Sequence, residues 1–128
     1  MVYVETDFLL ALAKESDWLK SEAEEALEKR EVATSILAYA EFLLLAEKYD
    51  IDRVRAVSNL VELVPALPEE HSQAVLKGVQ YQDAHGMTSL DALHAGMIDT
   101  WDAPVLGSEQ DYDELDIDRI PLEPGRNE

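Results

Sequence analysis

Four carboxylates stand in this sequence among apolar neighbours. Asp7 closely follows the run Val2-Tyr3-Val4, and Glu41 interrupts Ile36-Leu37-Ala38-Tyr39-Ala40-Glu41-Phe42-Leu43-Leu44-Leu45. Asp91 lies in Leu90-Asp91-Ala92-Leu93-His94-Ala95-Gly96, and Glu109 follows Val105-Leu106-Gly107-Ser108, with Asp111 just beyond. A lone buried carboxylate costs several kcal/mol unless it is protonated, paired or bound to a metal. One shared cation explains such positions better than separate accidents. The matching chemistry is a hard-cation site. Mg²⁺ or Mn²⁺ prefers oxygen ligands and keeps water in its shell. Such an ion can activate water for attack on phosphorus and neutralise the charge that develops.

Each acid also has an ordinary structural reading. Asp7 can cap a helix beginning at Phe8, a job open to Thr6 as well. On a helix, Glu41 has Leu37, Ala38, Leu44 and Leu45 as its near neighbours, so its face is apolar. Its alternatives are an edge position or a buried pair with a basic residue. Thr88-Ser89-Leu90-Asp91 fits a capping box, in which the acid reaches back to the cap residue. Glu109, Asp111 and Asp113 can supply negative charge to the first turn of a helix. His94 sits one turn beyond Asp91, and no second His stands at ligand spacing, so a zinc site is not expected. No Ser-His-Asp arrangement, phosphate-binding loop or dinucleotide fingerprint is present.

Short strands and amphipathic helices must position these residues. Met1 to Thr6 reads as a strand, and Phe8 to Lys14 as a first helix. Ser16 or Asp17 can cap a second helix from Trp18 to about Arg30, with Trp18, Leu19, Ala23, Ala26 and Leu27 as its apolar face. Val32 to Thr34 is a very short strand. Ser35 opens a helix to about Tyr49, and Asp50 or Asp52 opens another with the stripe Val54, Val57, Leu60 and Val61. Leu63 to Leu67 is a strand or a buried link. Pro68 starts a long helix to about Ala84, ended by His85-Gly86. Thr88-Ser89 opens the next, which ends near Trp101. Pro104 to Gly107 is a strand, Glu109 to Leu115 one or two helical turns, and Ile117 to Leu122 a last strand. This order predicts a small α/β sandwich with a mainly parallel sheet. Ligands gather at the carboxyl ends of strands in such sheets, where Asp7 and Glu109 fall.

The composition bounds the rest. The 128 residues suit one domain, expected over 1–124, with 125–128 a polar tail. There is no Cys, which excludes disulfides, thiolate metal sites and a Cys nucleophile. No apolar run is long enough to span a membrane, and no signal-like leader opens the chain, so a cytoplasmic protein without membrane contact is expected. Twenty-eight Asp and Glu against ten Lys and Arg give a net charge of −18. Glu22, Glu24, Glu25, Glu28 and Glu31 form a solvated acidic face. The excess suggests adaptation to high salt, where screening removes self-repulsion.

The ordered motifs resemble the PIN domain, and within it the VapC-like toxin ribonucleases. The matching segments are Val4-Glu5-Thr6-Asp7-Phe8-Leu9-Leu10-Ala11, Thr34-Ser35-Ile36-Leu37-Ala38-Tyr39-Ala40-Glu41-Phe42, Ser89-Leu90-Asp91-Ala92-Leu93-His94-Ala95 and Val105-Leu106-Gly107-Ser108-Glu109-Gln110-Asp111-Tyr112-Asp113. The resemblance implies a three-layer α/β/α sandwich around a small, mainly parallel twisted sheet. It implies a Mg²⁺- or Mn²⁺-dependent endoribonuclease, with Asp7, Glu41, Asp91 and Glu109 as catalytic and metal-binding acids. Thr6, Ser108 and Asp111 would support them, and Asp111 is the alternative fourth acid. An RNA substrate, a cognate antitoxin and a homodimer are implied as partners. Two positions depart from the family pattern. Phe8 stands where Ser, Thr or Asn usually follows the first Asp, and Glu109 stands where the fourth motif usually has Asp. These departures leave a second expectation, a catalytically silent domain of the same fold that acts as a binding or scaffold module.

Overall fold

The computed structural model describes residues 1–124; the expected polar tail, 125–128, lies outside them. The chain runs β1 (Val2–Tyr3), α1 (Thr6–Ala13), α2 (Lys20–Lys29), β2 (Val32–Ala33), α3 (Ile36–Ala46), α4 (Arg53–Leu63), α5 (Glu70–His85), α6 (Ser89–Trp101), β3 (Val105–Gly107), a 3₁₀ turn (Gln110–Glu114) and β4 (Arg119–Pro121). The strand and helix order expected from sequence is therefore present.

Strand pairing is parallel, as expected, and is divided between two short ladders. Val2 pairs with Val32 and Tyr3 with Ala33, while Val105, Leu106 and Gly107 pair with Arg119, Ile120 and Pro121. The ambiguous link after α4 is strand-like, with Leu63 and Leu67 at its ends exposed. Thr34 and Ala66 form an isolated parallel bridge, and Val64 and Ala66 are fully buried. The carboxyl end of β1 is tied to that of β2 by side chains. The Thr34 hydroxyl donates to the Val4 carbonyl at 2.7 Å, and Tyr3 and Ser35 share a hydrogen bond of 2.8 Å between their hydroxyls.

The helix ends follow their capping residues. Asp52 accepts from the Arg55 N–H and Thr88 from the Asp91 N–H. Gly86 ends α5 in the left-handed region, at φ 67°, where a residue without Cβ pays no steric cost. Ser35 does not cap α3; its hydroxyl is spent on Tyr3. Asp17 accepts from the Leu19 N–H at 2.9 Å just before α2. Trp18 is not part of the core face of α2, as its hydrophobicity predicted. It lies in the preceding turn, 86% exposed.

The main core gathers Leu9, Tyr39, Phe42, Leu43, Val57, Leu60, Val75 and Val79 from four helices. Tyr39 closes it by donating to the Val64 carbonyl at 2.7 Å. The closest helix crossing is α5 against α6. A Cβ on Gly96 would stand 2.1 Å from the Ala74 carbonyl oxygen, and one on Gly78 would stand 2.9 Å from that of Ala92. The backbones touch because these residues are small. A smaller cluster of Tyr81, Met87, Ala92, Ala95, Tyr112 and Leu115 seats the 3₁₀ turn against α6. Among the described residues, no helix is long and apolar enough to cross a membrane.

Candidate active site

Of the acids of interest, Asp7 and Glu109 lie shortly after β1 and β3, Glu41 lies within α3, Asp91 in the first turn of α6 and Asp111 in the 3₁₀ turn. Three of them form one group. Asp91, Glu109 and Asp111 each offer a carboxylate oxygen, and these oxygens lie within 4.8 Å of one another. Asp91 sits in the first turn of α6, where the aligned peptide dipoles favour negative charge. Only half of the expected capping box forms. Thr88 accepts from the Asp91 N–H at 3.3 Å, and the Asp91 carboxylate makes no hydrogen bond among the described residues. Glu109 stands two residues past β3, and its Oε1 accepts from the Asp111 N–H at 3.2 Å. That bond folds the acidic turn back on itself and leaves both carboxylates facing Asp91.

No Lys, Arg or His among the described residues forms an ion pair with any of the three. Three like charges this close repel, and among the described residues no cationic side chain offsets them. The donor set is all oxygen and anionic, which suits a hard divalent cation. Tyr112 lies buried beneath the turn. Burial pushes its phenol up, and the charges of Asp91, Glu109 and Asp111 push it further. The hydroxyl therefore stays protonated beside the acids.

Glu41 belongs to a second arrangement. The Thr6 hydroxyl is directed at the Glu41 Oε1 at 3.0 Å and at the Ala38 carbonyl at 3.4 Å. This joins the start of α1 to α3. Thr6 is buried, so its hydroxyl orients the Glu41 carboxylate, not that of Asp7. Asp7 lies in the first turn of α1 and lines a shallow cleft toward α2 with Phe8, Leu19, Glu22, Ala23 and Ala26. It does not cap the helix. Helix α1 begins at Thr6, two residues before the expected start, and Glu5 holds the cap position.

The premise that these acids are buried is corrected by the structure. Asp7, Glu41, Glu109 and Asp111 are exposed, and Asp91 is half-buried. Glu41 escapes burial because its neighbours Leu37 and Leu44 are themselves exposed, at 71% and 61%. Helix α3 is apolar on nearly every side, so it cannot bury all of them. Ser108 is exposed beside Glu109, and His94 is exposed one turn past Asp91.

Glu5 was missed by sequence reasoning. It follows the last ladder hydrogen bond of β1, from the Val4 N–H to Ala33, and its side chain makes no capping bond. Its carboxylate is exposed at the strand's carboxyl end. The available signal was its place directly after the run Val2-Tyr3-Val4.

A family model described as PIN domain matches residues 2–117. The match covers most of the chain, and the chain belongs to the PIN domain family. PIN domains are typically metal-dependent nucleases. A search of curated proteins finds no match.

Proposed function

We propose that this PIN-family chain is a Mg²⁺- or Mn²⁺-dependent endoribonuclease, formed as one domain over residues 1–124. The observation that carries this reading is the group Asp91, Glu109 and Asp111, with its oxygens within 4.8 Å and no cationic partner among the described residues. These residues would hold the ion. When bound, it would supply positive charge to polarise the scissile phosphate and lower the pKa of water.

The remaining roles fall to side chains. Glu41, steadied by the Thr6 hydroxyl, would accept the proton of the attacking water. Asp7, or Glu5 at the end of β1, would complete the acidic wall. Ser108 can donate to a phosphate oxygen beside Glu109. Water attacks phosphorus, the bond from phosphorus to the 3′ oxygen breaks, and that oxygen takes up a proton. The products carry a 5′-phosphate and a 3′-hydroxyl.

A cellular role as the toxin of a toxin–antitoxin pair belongs to the same proposal, as do a homodimer and a cytoplasmic location. Exposed Leu37, Leu44 and Leu90 offer apolar surface to a protein partner. The charge of −18 opposes RNA binding at low salt. At about 1 M salt the screening length falls to roughly 3 Å, so activity should rise with KCl.

The test is incubation of mixed RNA with the protein in high KCl, with Mn²⁺ or EDTA, beside Asp91→Asn. Cleavage that requires both the metal and Asp91 supports the nuclease. Metal-independent cleavage, or full activity in the variant, overturns the assignment of the site. A folded wild type that cleaves no RNA under any salt condition favours the silent binding module.

A further inference from the structure

One guanidinium holds both ends of the segment that presents Glu109 and Asp111. Arg119 lies on β4 with its side chain only 7% exposed. Its Nη1 donates to the Gly107 carbonyl at 2.8 Å and to the Glu123 Oε1 at 2.9 Å. Its Nε and Nη2 donate to the two oxygens of Asp113 at 2.8 and 3.1 Å, and Nη2 also donates to the Glu123 Oε2 at 3.2 Å. Gly107 is the last residue of β3, two positions before Glu109. Asp113 comes two positions after Asp111. The intervening turn is thus closed on a single cation.

The surrounding charge makes that cation decisive. Glu109, Asp111, Asp113, Glu114, Asp116 and Asp118 crowd this stretch, and Arg119 is the one Lys or Arg between Gly78 and Pro124. Without it, Asp113 and Glu123 would repel each other and the turn would open. A planar fork that meets a carboxylate through two parallel bonds fixes direction as well as distance. Lys would supply the charge without that geometry.

We propose that Arg119 is a positioning residue that sets Glu109 and Asp111 opposite Asp91 and thereby sets the affinity of the site for a divalent cation. The inference rests on the reading of those three carboxylates as a metal centre. Arg119 touches none of them, so its effect passes through the backbone of the turn. Residues that orient metal ligands typically change affinity by about 10- to 100-fold when removed.

The experiment is titration of the purified metal-free chain with Mn²⁺, read by the electron paramagnetic resonance signal of the free ion. Wild type, Arg119→Met, Arg119→Lys, Asp113→Ala and Asp91→Asn are compared, with far-ultraviolet circular dichroism as the check on folding. Arg119→Met should keep its helical signal and lose about tenfold or more in affinity, with Arg119→Lys recovering part of the loss. Asp113→Ala should also bind more weakly, although Asp113 is no ligand. A folded Arg119→Met with wild-type affinity and only a lower melting temperature overturns the inference. If Arg119→Met does not fold, unchanged affinity in Asp113→Ala overturns it. If Asp91→Asn binds Mn²⁺ as wild type does, the metal centre itself is wrong and the inference falls with it.

Discussion

Asp91 and the pair Glu109 and Asp111 face one another from regions built on different physics. Asp91 rides on α6, which is seated by backbone contact with α5 at Gly96, Gly78, Ala74 and Ala92. Glu109 and Asp111 ride on a turn held by the Arg119 charges and a small apolar cluster. Close packing is insensitive to pH and salt, and tolerates almost no change in volume. A charge clamp tolerates volume and responds to protons. A site spanning the two regions can be taken apart from either side by different means.

The largest effect should come from the packed side. Gly96→Ala forces a methyl group against the Ala74 carbonyl and should cost about 3 kcal/mol or more, read by urea denaturation. Gly107→Ala is its control on the charged side. A Cβ there meets nothing within 4 Å, so stability should stay near that of wild type. Equal behaviour of the two variants would erase the contrast.

Next in size is the loss of either half of the acidic group. Asp91→Asn and Glu109→Gln should each lower metal-dependent cleavage about a hundredfold or more, by analogy with the cost of disturbing metal ligation. If Glu109→Gln keeps full activity while Asp111→Asn loses it, Asp111 is the acid that matters in the turn.

Acid should then separate the regions. The Arg119 guanidinium holds the Asp113 and Glu123 carboxyls below their usual range. A carboxyl with a depressed folded pKa adds stability that is present above its unfolded value near 4 and is lost as pH falls through the folded value. The gap in melting temperature between wild type and Arg119→Met should therefore be wide at pH 7 and narrow toward pH 3. The deficit of Gly96→Ala should persist across the same range. The smallest effect is relief of repulsion. Without metal, Asp91→Asn should melt about 2 °C higher than wild type. With Mn²⁺ the order should reverse, because only wild type gains binding energy.

Much of the helical frame was legible because its signals are local. Asp52, Thr88 and Gly86 mark helix ends through bonds and dihedral angles that span only a few residues. Non-local features were harder to read. The clamp on Arg119 joins positions 107, 113 and 123, which no periodicity connects. The Thr6 hydroxyl served Glu41, thirty-five residues away, and not its neighbour Asp7. Hydrophobicity misled at Trp18 and in α3, where Leu37 and Leu44 stay in solvent. A sequence tells which residues are apolar, but the number of faces a helix can bury depends on how many neighbours pack against it. The sequence put Asp7, Glu41, Asp91 and Glu109 in one site and offered Asp111 as an alternative to Glu109. The acids that lie within 4.8 Å of one another are Asp91, Glu109 and Asp111 together, and neither that grouping nor its exposure could be read from spacing.

Both tryptophans of the chain lie at the surface, Trp18 at 86% exposure and Trp101 at 59%. An indole already in water has little spectral change left to show when the chain unfolds. Intrinsic tryptophan emission will therefore be a poor gauge of this protein's melting, and a flat trace will not mean a molten core. The buried Tyr39 ring and the helical far-ultraviolet signal will follow the core. Trp101, at the last turn of α6, will instead report on what approaches the protein there, which makes it a natural local sensor for partners in solution.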